Sequence, residues 1–364
     1  MIDYFKAEVK GFNLSDLLTN EHLNFIAPYN TKTGEIFENK KIAEYYGLKF
    51  ELFNNQYLWL KGSLHKYWSV INTGHLTNYD DFSISDLIQV IHDISKKFNL
   101  DPNKIYLHGL EFGVNIKVPF IPRKFLKENL INYKGKSKRT EEFNGKGYLV
   151  EFERSNYYIK IYDKSLQYLL QWNILRFEIK ARKMEFIHKS GIVTLTDLCD
   201  ISKLKELEKI LGSVFDGLLV CDDLYPEIKM GPKDKQIFTQ GINPSYWEKL
   251  KPDSKDFIKG NSDENYKRQR KRYYRQLNVF NKILAKYKLD TKKTLLSKMI
   301  QIKWEELLLD FGKIGDKLTD LLTTKKGQFN PLNILSDCPH KDDCIIEDKK
   351  RIQEIFNNLI HEYW

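Results

Sequence analysis

Three segments in the first half of the chain alternate apolar and polar residues with the period of two that is typical of β-strands. They cover residues 110–116, 157–162 and 175–180. The apolar side chains of each segment share one face, so the polar side chains share the other. If the segments are neighbouring strands, they place a tyrosine, two carboxylates and several cations on one face of the sheet. The simpler interpretation is three antiparallel strands, each with one face in solvent. The polar positions are Glu111, Tyr158, Lys160, Tyr162, Arg176, Glu178 and Lys180.

Other stretches have the spacing of amphipathic helices. Residues 83–98 repeat apolar side chains at helical intervals after a serine that can cap the first turn, and residues 194–221 and 282–307 show similar spacing. We expect the first of these helices to cover one face of the sheet. The sequence therefore predicts an α+β fold, with an antiparallel sheet and helices on one face, over residues 1–195. A mainly helical, basic region (196–330) and a tail with a short helix (331–364) follow.

The overall charge favours an acidic partner. The 364 residues carry a formal net charge of +10, the pI is near 9.0, and aromatic residues make up 13% of the chain. Aromatic side chains among lysines and arginines suit stacking on unpaired bases, although most aromatics fill cores. No apolar run approaches the roughly 20 residues of a membrane-spanning helix, and nothing resembles a signal peptide. With only four cysteines, we expect a cytoplasmic protein without a membrane partner.

The densest group of cations lies in the second half of the chain, in residues 266–275. So many cations on one helix cannot share a narrow stripe, so we expect some of them to contact DNA phosphates. A solvated helix face is the alternative interpretation. The cations of this segment are Lys267, Arg268, Arg270, Lys271, Arg272 and Arg275.

The polar face of the predicted sheet carries groups that can attack a phosphodiester. A tyrosine can act as the nucleophile, but its phenol has a pKa near 10 and needs help to ionise at neutral pH. Lys160 and Lys164 can supply that help. Glu111 and Glu178 can hold Mg²⁺ or Mn²⁺, which would stabilise charge in the transition state. The alternative is that both carboxylates are only salt-bridged or solvated.

Three motifs in a fixed order resemble the Rep_trans family, the rolling-circle replication initiators of small plasmids, with related conjugative-element relaxases and phage replication initiation factors. The motifs are Leu-Glu-Phe-Gly-Val-Asn, Ile-Tyr-Asp-Lys and Leu-Arg-Phe-Glu-Ile-Lys, and the similarity spans about residues 58–184. The resemblance implies a catalytic domain related to HUH endonucleases, with Tyr162 as the nucleophile. It also places the family's acidic positions on Glu111 and Glu178 and its arginine on Arg176. We expect Arg176 and Lys180 to contact DNA.

The chain departs from the family pattern at several positions. Asn115 stands where the family has a second aspartate, which weakens the predicted metal site because a neutral amide is a poorer ligand. His65, near the end of an earlier predicted strand, is a further candidate metal ligand or phosphate contact, and a structural histidine is the alternative. Cys338, His340 and Cys344 resemble part of a zinc site, and a plain polar loop is the alternative there.

The hypothesis is a rolling-circle initiator that nicks and rejoins one DNA strand through a covalent 5′-phosphotyrosine. Its partners would be single-stranded or extruded origin DNA, with a host helicase and polymerase, and a dimer is one assembly to test. A relaxase that nicks a transfer origin is the alternative with the same chemistry. A non-enzymatic DNA-binding repressor or copy-control protein on the same fold is the alternative that Asn115 favours.

Overall fold

The computed structural model describes residues 1–37, 39–142, 147–222, 228–252, 263–289 and 291–309, with only the backbone at residues 263 and 291. The predicted zinc ligands Cys338, His340 and Cys344 lie outside the described residues, as does the predicted tail helix.

A nine-stranded antiparallel sheet forms the centre of the fold. The strands predicted from alternation are its neighbouring strands β5, β11 and β10, so the prediction that they lie side by side is confirmed. Their apolar positions are buried on one face, as the alternation predicts. In spatial order the sheet contains β2 (Lys40–Tyr45), β3 (Leu48–Phe53), β4 (Tyr57–Ser63), β1 (Ile2–Val9), β5 (Ile105–Lys117), β11 (Ile174–Ala181), β10 (Tyr157–Asp163), β9 (Tyr148–Glu153) and β8 (Arg139–Glu142).

Helices cover the apolar face of this sheet. Phe98 of α3 packs on β3, Phe215 of α6 on β11, and Trp304 of α10 on β5. The helix predicted over residues 83–98 is α3. The Ser83 side chain accepts a hydrogen bond from the Asp86 backbone N–H, and the Asp86 side chain accepts one from the Ser83 backbone N–H. The described helices are α1 (Leu14–Leu18), α2 (Leu64–Thr73), α3 (Ile84–Phe98), α4 (Pro122–Lys124), α5 (Lys164–Tyr168), α6 (Ile201–Asp216), α7 (Pro232–Gly241), α8 (Pro244–Leu250), α9 (Asp263–Tyr287) and α10 (Thr291–Leu309).

Two predicted helices end earlier than the sequence pattern suggests. The helical prediction for residues 194–221 is wrong at its end, because Leu218–Val220 forms the strand β12, which pairs with β6 (Leu130–Tyr133). That pairing joins residues far apart in the chain, so the local spacing of apolar residues cannot predict the strand. The helix predicted over 282–307 is two helices, separated where Lys288 adopts a positive φ of 55°.

A small second sheet connects the helical region to the rest of the chain. Its strands are β12, β6 and β7 (Lys136–Ser137). Tyr273 of α9 is fully buried against it and donates from its hydroxyl to Asn132 Oδ1 at 2.7 Å. Trp247 of α8 packs on Tyr273 within the same apolar cluster. The chain is thus a mixed α and β protein with a large antiparallel sheet and a helical C-terminal part; the division at residue 195 stays a prediction.

Gly113 allows β5 and β11 to approach each other beside Glu178. A β carbon at Gly113 would lie 2.1 Å from the carbonyl oxygen of Phe177 and 2.6 Å from the α carbon of Glu178. Both neighbours are backbone atoms, so a side chain can enter only if the strands separate. At Gly109, four residues earlier, the nearest atom would be 3.5 Å away, which is an ordinary contact.

We expect Gly113→Ala to lower the free energy of unfolding by about 3 kcal/mol, because the added methyl group overpacks the centre of the sheet. Gly109→Ala is the matched control on the same strand and should change stability by less than about 1 kcal/mol. Urea unfolding monitored by circular dichroism measures both. Equal stability of the two variants would contradict the close approach at Gly113.

Candidate active site

Lys160 links two buried glutamates near the centre of the sheet. Its ammonium nitrogen (Nζ) lies 3.2 Å from Glu111 Oε2 and 3.5 Å from Glu178 Oε1. The strand register produces this contact, because Lys160 stands opposite Glu178, and β5 with Glu111 lies next to β11. Lys180 adds a second cation, 2.7 Å from Glu111 Oε1. The strand order therefore brings together four of the predicted site residues.

Arg176 lies beneath this cluster, so the prediction that it contacts DNA is wrong. Only 2% of the residue is exposed. Its Nε donates to Glu178 Oε2 at 3.0 Å and its Nη1 donates to Asn115 Oδ1 at 3.3 Å. Alternation in the sequence indicates the face on which a side chain lies, but not whether other chain segments cover that face. The side chain of Lys180 is 38% exposed, and its contact with DNA stays a prediction.

The sequence pattern does not predict the polar network that lies beside Tyr162. Asp3, at the start of β1, accepts hydrogen bonds from the Ser63 hydroxyl and from Asn78 Nδ2. The Asn78 side-chain oxygen then accepts from Lys164 Nζ at 2.6 Å and from the Tyr168 hydroxyl at 2.8 Å. These contacts join residues from distant parts of the chain and hold Lys164 in place.

The Tyr162 hydroxyl lies between a carboxylate and an amine. It is 3.4 Å from Glu178 Oε2 and 3.4 Å from Lys164 Nζ. Burial and the negative charge of Glu178 raise the pKa of Tyr162 well above its usual value, although the Arg176 guanidinium opposes this shift. The phenol is therefore protonated at neutral pH, and it needs a base if it is to act as a nucleophile.

Lys164 is a suitable base in this position. It is 1% exposed, and burial together with the nearby Arg176 charge lowers the pKa of its amine to about 7, against the opposing charges of Asp3 and Glu178. Near pH 7 a large fraction of the amine is thus uncharged and can accept a proton. Its position directly after Asp163, which caps the short helix α5, fixes the side chain beside the tyrosine.

An open cavity of about 620 Å³ gives access to the tyrosine. This volume lies within the range of small-molecule binding pockets, so a nucleotide unit of a strand can enter. Cationic side chains line it on several sides, including Lys66, Lys160 and Lys164. Glu111 and Glu178 also line it, but both carboxylates are paired with cations. The cavity therefore suits a phosphate group with a sugar and base attached.

His65, a predicted metal ligand, is buried beside an aromatic side chain. It lies on α2, is 2% exposed, and its ring stacks on Phe82 with centroids 4.9 Å apart. Its Nε2 is 2.8 Å from Asp80 Oδ1, so that nitrogen is already paired. These contacts account for His65 as a structural residue, and its role as a metal ligand stays a prediction.

The donors present do not fit the predicted divalent metal. All four oxygens of Glu111 and Glu178 face cations, namely Lys160, Lys180 and Arg176. Within the described ranges, no group of three His, Cys, Asp or Glu side chains is arranged to hold a metal ion. Magnesium is usually held by one or two carboxylates, with waters and substrate phosphates as its other ligands, so the misfit lies in the pairing of both carboxylates with cations and not in their number.

Comparisons with known proteins leave the family open. No family model matches the chain, and no curated protein matches it. Among solved structures, a rolling circle replication initiator protein from Geobacillus stearothermophilus superposes with a TM-score of 0.37 and 12% sequence identity. The superposition covers 64% of this chain and 89% of that one. The functional assignment therefore rests on the site itself.

In the described part of the chain, no helix is both long and apolar enough to cross a membrane.

The cations predicted for DNA contact lie on the surface of α9. All six of them are exposed, while Tyr273 on the same helix is buried and anchors it. At 100° per residue the six cations spread over about 200° of the helix surface. A broad cationic surface of this kind can follow a phosphate backbone; whether it binds DNA stays a prediction.

Lys164→Met should increase the free energy of unfolding by about 2 kcal/mol or more at pH 6, because the folded state no longer buries an ammonium. The pKa of Lys164 is lower in the folded than in the unfolded chain, so the unfolded state binds more protons between pH 7 and about 10. Wild-type stability should therefore rise across that interval, and the advantage of the variant should shrink. Urea unfolding at several pH values measures the difference, and a variant less stable than wild type at pH 6 would contradict the burial cost.

Proposed function

We propose that the chain cuts and rejoins one strand of DNA, with Tyr162 as the nucleophile. The observation that carries this proposal is the position of the Tyr162 hydroxyl, which is 3.4 Å from a buried lysine amine in a cavity lined by cations. A tyrosine buried for packing alone has no need of a lysine with a pKa near 7 beside its hydroxyl. The resemblance to the Rep_trans motifs supports the same nucleophile.

The reaction balances without an external reagent. Lys164 takes the phenol proton as the Tyr162 oxygen attacks phosphorus, a phosphotyrosine forms at the 5′ end of the cut, and the bond from phosphorus to the 3′ oxygen breaks. The proton taken by Lys164 then reaches the departing 3′ oxygen through solvent water. The 3′ hydroxyl can reverse the attack later, so rejoining needs no ATP because the phosphotyrosine keeps the bond energy.

Cations on the cavity wall supply the charge that the reaction requires. The transition state at phosphorus is more negative at its oxygens than the ground state, so fixed positive groups stabilise it selectively. Lys66 and Lys160 line the cavity, and Lys164, which also lines it, becomes a cation when it takes the phenol proton. The two glutamates are neutralised by their own ion pairs and therefore repel the phosphate less than free carboxylates would.

The biological role proposed for this chemistry is initiation of rolling-circle replication at an origin. A free 3′ hydroxyl primes synthesis, so a host polymerase and helicase are the expected partners, and the cleaved segment is single-stranded or extruded. The exposed cations of α9 are proposed to hold duplex DNA next to that segment. Cleavage at a transfer origin would use the same chemistry and give the same adduct, whereas DNA binding without cleavage is an outcome that the experiments below can return.

Tyr162→Phe should abolish covalent attachment to DNA. The probe is a random-sequence pool of single-stranded oligonucleotides with a fluorescent label at the 3′ end, which stays on the protein after attack because tyrosine keeps the 5′ phosphate. A denaturing gel detects labelled protein. Wild type should become labelled and Tyr162→Phe should not, whereas the same pool labelled at the 5′ end should label neither.

Tyr158→Phe is the matched control, since Tyr158 lies on the same face of β10 and its hydroxyl bonds to Glu153 instead of Lys164. It should be labelled like wild type. Labelling that persists in Tyr162→Phe would move the nucleophile to another residue, and no labelling of wild type would favour a binding protein without cleavage.

Replacing Arg270, Lys271 and Arg272 of α9 with glutamine should weaken duplex binding and flatten its salt dependence. Each lost phosphate contact lowers the slope of log affinity against log salt concentration by roughly one. Fluorescence anisotropy with a duplex at several salt concentrations measures the slope. The control removes the same charge from exposed lysines of α3 and α6 (Lys96, Lys205, Lys209) and should leave the slope nearly unchanged. Equal slopes in the two variants would mean that the cations of α9 form a solvated surface and do not contact DNA.

A further inference from the structure

Each carboxylate oxygen of the two glutamates in the candidate site faces a cation of the protein. Glu111 accepts from Lys180 through Oε1 at 2.7 Å and from Lys160 through Oε2 at 3.2 Å. Glu178 faces Lys160 through Oε1 at 3.5 Å and accepts from Arg176 through Oε2 at 3.0 Å. A divalent cation could bind only by displacing at least one of these groups.

Lys160 occupies the position between the two carboxylates. Its Nζ is within 3.5 Å of both, and it is the cation that contacts both of them. A metal shared by two carboxylates lies in the same place, between the oxygens that it bridges. Two carboxylates at these distances favour the charged form of the amine, so Lys160 is an ammonium here.

The neighbouring groups do not supply replacement ligands. Asn115 stands near the pair, but its side-chain nitrogen donates to the carbonyl oxygens of Asn78 and Asp80, and its oxygen accepts from Arg176. Asp3 accepts from Ser63 and Asn78 through its two oxygens. Each polar group is thus used by the protein itself, and each bond would have to break before the group could ligate a metal.

The charges at the site already balance. Arg176 also lies 3.6 Å from Asp3 Oδ2 through its Nη2, so the three carboxylates Asp3, Glu111 and Glu178 are paired with the three cations Lys160, Arg176 and Lys180. A divalent ion would lie beside these three cations and would be repelled by them. The carboxylates would have to offset the hydration that the ion loses, and each of them is already paired with a cation.

We propose that the Lys160 ammonium takes the place of a divalent cation in this site, so that strand transfer by Tyr162 proceeds without a bound divalent metal. This inference rests on the proposed strand-transfer function. The ammonium holds the two carboxylates at a fixed distance and faces the cavity into which the phosphate enters. It supplies one fixed positive charge there, which stabilises the negative oxygens of the transition state.

The first test measures Mn²⁺ binding without DNA, by loss of the electron paramagnetic resonance signal of free Mn²⁺. Wild type should not bind Mn²⁺ at this pair of glutamates. Lys160→Met removes the ammonium and leaves two unpaired oxygens, so it should bind Mn²⁺ at least tenfold more tightly. Adding Glu178→Gln to Lys160→Met should abolish that binding. Mn²⁺ binding by wild type that Glu178→Gln removes would overturn the proposal.

The second test uses the labelled oligonucleotide pool. Wild type should form the same amount of covalent adduct in EDTA as in Mn²⁺, whereas Lys160→Met should form adduct in Mn²⁺ and at least tenfold less in EDTA. Lys160→Arg keeps the charge and should remain independent of metal, which also controls for folding of the variants. Loss of the wild-type adduct in EDTA, restored by Mn²⁺, would overturn the proposal. If no adduct forms under any condition, strand transfer itself is wrong, and the Mn²⁺ titration still decides whether the ammonium excludes the metal.

Discussion

The structure depends on the compensation of charges that are buried on the polar face of the central sheet. Glu178 is 3% exposed and Glu111 is 7% exposed. An unpaired carboxylate at either position would be strongly destabilising, because a buried charge loses its hydration. Lys160 on β10, with Arg176 and Lys180 on β11, supplies the matching charges only when β5, β11 and β10 are adjacent and in register. A shift of one residue between the strands would separate the pairs that cross from strand to strand, namely Lys160 with the two glutamates and Lys180 with Glu111. These ion pairs therefore specify the register of the strands as well as neutralising the carboxylates.

This compensation also sets the properties of the two groups proposed to react. Burial and the negative charge of Glu178 raise the pKa of the Tyr162 phenol, although Glu178 is also paired with Arg176. Burial, with the nearby Arg176 charge added, lowers the pKa of the Lys164 amine to about 7. A protonated tyrosine thus lies beside a lysine that can be neutral. Burying Lys164 lowers the stability of the folded chain. Groups that serve function often have this cost.

The sequence predicts which strands form the centre of this arrangement, but not how far their polar side chains are buried. Alternation identifies β5, β10 and β11 and the face on which Tyr162, Lys160 and Glu178 lie, because side chains of a strand must alternate. It cannot show that β1 and the loop at Asn78 cover part of that face, since those contacts join distant segments. The burial of Arg176 was missed for this reason. The strand β12 and the pairing of His65 with Asp80 were missed likewise, because no local pattern encodes a nonlocal partner.

Peptide mapping of the covalent adduct tests the central claim most directly. Trypsin cleaves after Lys160 and after Lys164, so residues 161–164 form a peptide in which Tyr162 is the sole tyrosine, while Tyr157 and Tyr158 lie on residues 155–160. After nuclease and trypsin digestion of the adduct, mass spectrometry should find the nucleotide remnant on residues 161–164. A remnant on residues 155–160, or on any other tyrosine peptide, would contradict the assignment of Tyr162 as the nucleophile.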